Sequence, residues 1–248
     1  MKPGLRAGVE NARRMIPVGG ELYRGAQYLT SVVEVDPAKM KPFLPPGVRL
    51  AKPYRADVFT AYFPDNVFGS VYHEAGVFVH IKTATGTGIH CPWMILDDDV
   101  AMIIGRELLG YPKKMGEIEY DIADDVVRNS ASRRGTTLFT QAGTLGEVLD
   151  DSPNILGLPH RNAMGLMGLS LPRIVAFTPG ERPIEVRRAE LDLQIFGSER
   201  DPLHEMGLGA VVESRLHTVD LTTPRLPPRP IRPLSPLFTL SHFNPRVH

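Results

Sequence analysis

The chain of 248 residues has little of several features that mark other classes of protein. Its one cysteine, Cys91, excludes an intrachain disulfide and indicates a reducing compartment. Lysine plus arginine number 28, as do aspartate plus glutamate, so the net charge of zero favours neither nucleic acid nor a membrane surface. No apolar run approaches the ~20 residues that cross a bilayer, and the first twenty residues have no run of signal-peptide length. We therefore expect a soluble, cytoplasmic protein.

What the chain does have is a series of short runs of β-branched and aromatic residues, separated by turn signals such as Pro179-Gly180. Seven such runs are predicted strands: 28–35, 58–63, 77–82, 118–122, 136–141, 184–196 and 211–221. They predict a mainly β (α+β) fold, an antiparallel sheet or closed β-barrel with a few covering helices. Since a β-rich fold of this size is routinely one domain, residues 1–248 are expected to form a single domain.

Two short helices are predicted. Residues 36–43 begin with Asp36 as the cap and Pro37 at the first helical position. Residues 97–109 begin with three aspartates, which suit the positive end of the helix dipole, and continue with apolar residues at helical spacing. Gly110 then supplies the stop.

Residues 224–236, PRLPPRPIRPLSP, are too rich in proline for a helix or a central strand. We expect an extended, proline-rich C-terminal arm over residues 224–248. The arm either lies over its own sheet or crosses to another subunit, and a barrel with such an arm predicts a homo-oligomer.

The most informative stretch is YPKKM, residues 111–115, directly after the second predicted helix. A free lysine, with a pKa near ~10.4, is protonated at neutral pH, so a nucleophilic lysine needs an apolar enclosure or a neighbouring positive charge. If the segment is extended, Tyr111, Lys113 and Met115 share one face, Lys114 points away, and burial must keep the Lys113 amine neutral. If the chain turns here, repulsion from Lys114 contributes. Both arrangements remain open.

Residues 105–118, GRELLGYPKKMGEI, resemble the signature of the acetoacetate decarboxylase family. The resemblance implies that Lys113 forms a Schiff base with a substrate ketone and that Lys114 is the neighbouring lysine of the pair. The stretch 72–76, YHEAG, is similar to the family's short acidic stretch. This resemblance implies that Glu74 corresponds to the active-site glutamate of that stretch. The segment 21–36 resembles the region where the family places an arginine that meets the substrate carboxylate, which implies this role for Arg24.

Two further side chains, Tyr111 and Met94, are candidate walls of the substrate pocket. A metal site is not predicted, because the histidines near Glu74 and Cys91 have neither a paired CxxC nor an HExxH spacing. The imine chemistry implied by the resemblance needs no external cofactor.

The expected function is therefore decarboxylation of a small β-keto acid through a lysine imine. The family's decarboxylases carry another glutamate upstream of the first, and the corresponding residues 56–63 contain none. An alternative is therefore a Schiff-base aldolase or dehydratase that acts on pyruvate-like α-keto acids without decarboxylation. A third hypothesis, from another class, is a metabolite-binding barrel without catalysis.

Overall fold

A computed structural model describes residues 6–8, 10, 20–67, 69–84, 86–151, 156–165, 172–225 and 228–242. The strands are β1 (Glu21–Val35), β2 (Arg49–Leu50), β3 (Arg55–Phe63), β4 (Asp65–Asn66), β5 (Tyr72–Thr83), β6 (Gly86–Leu96), β7 (Lys113–Met115), β8 (Glu117–Ala123), β9 (Val126–Arg133), β10 (Thr136–Val148), β11 (His160–Met164), β12 (Arg173–Phe177), β13 (Gly180–Ile195), β14 (Leu208–Thr222) and β15 (Arg229–Pro233). The α-helices are α1 (Pro37–Met40), α2 (Asp99–Leu109) and α3 (Pro236–Ser241). Short 3-10 helices cover Lys41–Phe43 and Leu203–Glu205.

The fifteen strands of the described residues belong to one sheet, whose main path runs β15-β12-β11-β6-β5-β3-β1-β14-β13-β10-β9-β8. The sheet is mixed, because β6 pairs in parallel with β7 and with β11 while the other pairs are antiparallel. The predicted mainly β, single-domain fold is confirmed, but the closed-barrel alternative is wrong. Among the described residues the path has two open ends, and the end strand β15 contains prolines that lack the N–H needed to continue a ladder.

Side-chain alternation divides the apolar residues between the two faces of the sheet. On β5, Phe78 packs with Met94 of β6 on one face, which we call the cavity face. The residues on either side of Phe78 along the strand, Val77 and Val79, pack with Trp93 on the opposite face. Each of these side chains is almost fully buried, and burial of one such side chain contributes about 1.5–3 kcal/mol. Neighbouring residues of one strand therefore belong to different cores.

Both predicted helices are confirmed. Asp36 accepts a hydrogen bond from the Ala38 N–H at 2.8 Å, and α1 continues into a 3-10 turn over the predicted range. Helix α2 begins two residues later than predicted, because Asp98 is the cap and accepts from the Ala101 N–H at 2.7 Å. No helix among the described residues is long and apolar enough to cross a membrane.

The C-terminal arm is not extended throughout, which corrects the prediction. Strand β15 pairs with β12 at the edge of the sheet, and helix α3 follows it. The helix forms because the Ser235 hydroxyl accepts from the Leu237 N–H at 3.2 Å and a proline occupies the first helical position. Leu234 and Phe238 are buried in the core of the same chain. Residues 243–248 of the predicted arm lie outside the described residues.

Candidate active site

A β–α–β crossover positions Lys113. The chain leaves β6, passes through α2, and returns as β7, which pairs with β6 so that Lys113 lies opposite Met94. Gly110 ends the helix with a φ of 68°, a conformation that glycine adopts without steric cost. Gly105 faces the lysine side chain, since a Cβ at this position would lie 2.6 Å from Lys113 Cδ. The lysine therefore runs directly beneath the helix.

Lys113 Nζ contacts Glu74 Oε2 at 2.5 Å. Both residues are nearly enclosed, with 6% and 4% of their surface exposed. Glu74 reaches the lysine because it lies on β5, next to β6, on the cavity face. The backbone carbonyl of Lys113 accepts a hydrogen bond from Arg106 Nη1 at 2.7 Å, so helix α2 also holds the strand that carries the lysine.

The two charged groups lie in a cavity of about 670 Å³, counted to its opening at the solvent. Its wall is largely aromatic and aliphatic, and Lys113 and Glu74 are the charged members among its described lining residues. The other lining residues are Leu22, Tyr23, Tyr28, Phe63, Tyr72, Phe78, Ala101, Ile104, Gly105, Leu109, Tyr111, Leu156, Phe177, Pro179, Leu221, Thr222 and Pro224. Such a lining excludes water and strengthens every electrostatic interaction inside it.

Four tyrosines supply most of the remaining polar atoms. Burial raises the pKa of the hydroxyls of Tyr23, Tyr28, Tyr72 and Tyr111, so all four stay protonated. Tyr72 donates to the Tyr23 hydroxyl at 2.9 Å. The wall therefore offers neutral hydroxyl groups to a substrate.

Tyr111 is held by His160, which sequence reasoning missed. The Leu156 carbonyl can only accept, so His160 Nε2, 3.0 Å away, carries the proton. His160 Nδ1 then accepts from the Tyr111 hydroxyl at 3.0 Å. Burial lowers the pKa of His160 to about 3, so the ring is neutral at physiological pH. This fixes the Tyr111 ring, whose centroid lies 5.7 Å from Lys113 Nζ.

Lys114 lies on the opposite face of the sheet. Strand β7 is extended, which decides between the two arrangements left open by the sequence. The Lys114 ammonium bonds the buried carboxylate of Asp201, which also accepts from Trp93 Nε1 at 2.8 Å and from Arg133 Nη1 at 3.2 Å. Burial lowers the pKa of Lys114 to about 8, although the charge of Asp201 opposes this shift.

Arg24 and Met94 lie outside the cavity lining. The exposed Arg24 guanidinium pairs with Glu21 at 3.0 Å and with Asp65 at 3.1 Å. Contact with a substrate carboxylate would require it to leave both partners, and this role stays a prediction. Met94 is buried in the same apolar cluster as Tyr111, behind the wall.

Two residues that support the site, His160 and Asp201, had no signal in the sequence. They lie 49 and 87 positions from their partners Tyr111 and Lys114, and only the tertiary fold brings them together. Within the described part of the chain, no group of three or more histidine, cysteine, aspartate or glutamate side chains is placed to hold a metal ion.

Comparison with known proteins identifies a family whose model matches this sequence. The family model for acetoacetate decarboxylase (ADC) matches residues 11–228. The acetoacetate decarboxylase of Chromobacterium violaceum is 28% identical over 149 residues, so the match spans 59% of this chain and 59% of that protein.

Solved structures show the same fold. The crystal structure of acetoacetate decarboxylase from Legionella pneumophila superposes with a TM-score of 0.79 at 16% identity, covering 88% of this chain and 90% of that one. The enduracididine biosynthesis enzyme MppR, complexed with the condensation product of pyruvate and imidazole 4-carboxaldehyde, has a TM-score of 0.71 at 18% identity, with 84% and 88% covered. At these identities the structural likeness concerns the fold alone. Because the family model covers most of the sequence, the chain belongs to the acetoacetate decarboxylase family.

Proposed function

We propose that the protein is a Schiff-base-forming lyase that decarboxylates a small β-keto acid, with Lys113 as the nucleophile. The observation that carries this proposal is the position of the Lys113 amine, enclosed by an apolar wall with one carboxylate, Glu74, at 2.5 Å. Only a neutral amine attacks a ketone, and Glu74 is placed to accept its proton. No external cofactor takes part.

In the proposed reaction, the lone pair of Lys113 Nζ adds to the ketone carbon, and loss of water leaves a protonated imine. The bond between the α-carbon and the carboxylate then breaks. Its electron pair moves into the iminium group, which gives CO2 and a neutral enamine. Protonation of the enamine carbon and hydrolysis of the new imine release the ketone and free Lys113, with Glu74 relaying protons.

The apolar wall supports decarboxylation over a reaction that keeps the carboxylate. The carboxylate of a β-keto acid lies two bonds from the imine carbon, inside the cavity, where aromatic side chains such as Phe63 and Phe78 replace water. Its charge disappears when CO2 leaves, so the wall disfavours the bound acid relative to the transition state. A reaction that keeps the carboxylate would need a cation to balance its charge throughout. Among the described lining residues, Lys113 is the only cationic side chain.

The proposal gives Lys114 a positioning role. Its ammonium lies across the sheet from the cavity, where the bond to Asp201 anchors β7. In the proposal it holds Lys113 in place.

A second candidate function is aldol addition and dehydration of a pyruvate-like α-keto acid. The observation that favours it is the lack of a second carboxylate, which the family's decarboxylases carry: among the described lining residues, Glu74 is the only one. Asp57, the acid on the strand where the family's second glutamate was sought, instead bonds His80 Nε2 at 2.9 Å. The shared fold with MppR adds the example of a protein whose structure holds a condensation product of pyruvate.

Release of CO2 from acetoacetate tests the proposal. The wild-type protein should release CO2 catalytically, and Lys113→Ala should lower the rate by roughly 10³-fold or more, because the nucleophile is gone. Lys82→Ala, a matched change at an exposed lysine of β5, should keep the wild-type rate.

Other products would overturn decarboxylation. A condensed product from pyruvate and imidazole 4-carboxaldehyde, without CO2 from acetoacetate, would establish the second candidate. Neither product, together with tight binding of a keto acid, would identify a metabolite-binding protein without catalysis.

A further inference from the structure

A second groove, rich in arginine, lies beside the cavity that holds Lys113. It measures about 1300 Å³ counted to open solvent. The groove and the cavity share the lining residues Phe177, Pro179 and Thr222. Four arginines lie around it: Arg161, Arg182, Arg225 and Arg229. The mechanism proposed for Lys113 uses none of them.

Strand register explains why two of these arginines come together. Arg161 of β11 lies opposite Ala176 of β12, and Ala176 lies opposite Arg229 of β15. Directly opposed residues project to the same face, so the two guanidinium groups flank a small side chain from strands about 10 Å apart. The pKa of Arg161 is lowered by burial and further by the charge of Arg229. The fold thus places two like charges on one face of the sheet, at the edge of the groove.

The acidic groups near the groove are already engaged. The Glu181 carboxylate, which lines the groove, accepts hydrogen bonds from the backbone N–H groups of Leu156 and Gly157, each at 2.6 Å. Asp220 pairs with Arg182 and accepts from the Gly25 N–H at 2.8 Å. The positive charges around the groove outnumber these carboxylates.

Two of the arginines have no carboxylate partner among the residues that the structure describes. Among the described residues, Arg225 and Arg229 are exposed and neither makes an ion pair within 4.0 Å. The sequence outside the described ranges contains no aspartate or glutamate. Neither guanidinium group is therefore paired with an acidic side chain of this chain, and both are open to a carboxylate or phosphate of a bound molecule.

We propose that this groove binds a small molecule carrying two or more carboxylate or phosphate groups. Guanidinium groups are planar forks that bind such groups with two hydrogen bonds at once, and several around one concave surface suit a polyanion better than a single charge. The anionic groups belong either to a substrate that reaches out of the cavity with a second carboxylate or to a separate effector. The wall shared with the cavity brings either source close to Lys113.

Calorimetric titration with inorganic pyrophosphate, at constant ionic strength set by chloride, tests the site. The wild-type protein should bind pyrophosphate, and Arg225→Gln and Arg229→Gln should each weaken binding by about fivefold, the scale of a partly solvated charge-assisted contact. Arg128→Gln, at an exposed arginine of β9 remote from the groove, is the matched control and should bind like wild type.

Two kinetic arms identify the source of the anion. If it is the substrate, Arg229→Gln should lower kcat/KM for the diacid 3-oxoadipate and leave that for the monoacid 3-oxohexanoate unchanged. If it is an effector, pyrophosphate should change turnover of 3-oxohexanoate in wild type but not in Arg229→Gln.

The inference fails if wild type binds pyrophosphate no better than chloride, or if Arg128→Gln weakens binding as much as the groove variants do. It also fails if the groove variants change the subunit number without changing anion binding, since the groove would then be a contact between chains. Pyrophosphate binding requires no imine, so this failure is distinct from failure of the proposed chemistry.

Discussion

At the scale of single residues, the site depends on a buried pair of oppositely charged side chains. Lys113 and Glu74 are each almost fully buried, and Lys113 Nζ lies 2.5 Å from Glu74 Oε2. Breaking such a pair by removing one partner typically costs 3–5 kcal/mol, because the remaining charge is left without compensation. The pair therefore contributes to the order of the cavity, and in the proposed mechanism it also transfers a proton between amine and carboxylate.

Glu74→Gln separates these two contributions. Glutamine keeps the shape and a hydrogen-bonding oxygen but cannot take the proton, so kcat for CO2 release from acetoacetate should fall by about 10²–10⁴-fold. Glu117→Gln, at an exposed glutamate of β8, should leave kcat unchanged. A Glu74→Gln variant that folds and retains at least half of the wild-type kcat would contradict the proton-relay role.

The sequence could predict the residues of this pair, but not the direction in which the side chain of Lys114 points. Lys113 and Glu74 were assigned through their resemblance to family motifs. The orientation of Lys114 depends on whether β7 is extended, and its partner Asp201 is 87 residues away, so local sequence could not decide it. Arg24 shows the same limit, because its ion pair with Asp65 crosses 41 positions of the chain.

At the scale of elements, helix α2 and strand β7 form one unit in which a glycine makes room for the lysine. Gly105→Ala should favour the helix by up to ~1 kcal/mol through propensity alone. The added methyl would lie 2.6 Å from Lys113 Cδ, however, and would displace the reacting amine. We expect a drop in kcat of at least about tenfold with little change in Tm.

Gly146→Ala is the matched control, because a Cβ there meets nothing closer than 3.6 Å and kcat should not change. If Gly105→Ala retains the wild-type kcat, the side chain of Lys113 does not depend on the space beneath α2. Circular dichroism melting curves of both variants separate an effect on the site from an effect on folding.

Elements with an uninterrupted run of apolar residues or a clear cap were predictable, and an element whose run is interrupted was not. Strand β5 was predicted in part because its apolar run is continuous, and α2 because of its caps. Strand β6, the partner of β7, was missed, since Gly86, Gly88 and Pro92 interrupt its apolar run. Proline density correctly excluded a central strand over 224–236, but could not reveal that β15 would pair at the edge.

At the scale of the whole molecule, the response of stability to pH is set in part by His160. Its pKa in the folded protein is lowered to about 3 by burial, below the ordinary value of 6.5. As pH falls from 6.5 towards 3, the unfolded chain takes up a proton that the folded protein does not. The free energy of unfolding therefore decreases across this window.

His160→Phe removes this titration while keeping a ring to stack on Phe177. The variant should be less stable at pH 7, because Tyr111 and the Leu156 carbonyl lose their partner, by about 1–3 kcal/mol. Between pH 7 and pH 5, wild type should lose about 2 kcal/mol more than the variant. Urea unfolding at both pH values measures this difference, and equal losses would mean that the histidine is not kept neutral by the fold.

Sequence patterns specify neither whether the sheet closes into a barrel nor how many subunits assemble. The parallel contact of β11 with β6 joins His160 to Ile89, 71 positions apart, and no local signal chooses it over a contact that closes a barrel. The predicted homo-oligomer stays a prediction, which sedimentation of the intact chain would decide.

Borohydride reduction in the presence of acetoacetate, followed by peptide mapping, determines whether the Lys113 amine forms an imine with a keto acid. We expect one reduced adduct, on Lys113, and none on Lys114, whose amine lies across the sheet and bonds Asp201. Lys82→Ala should give the same adduct, and Lys113→Ala none. An adduct on another lysine, or no adduct in a folded wild-type protein that turns over acetoacetate, would mean that Lys113 is not the nucleophile.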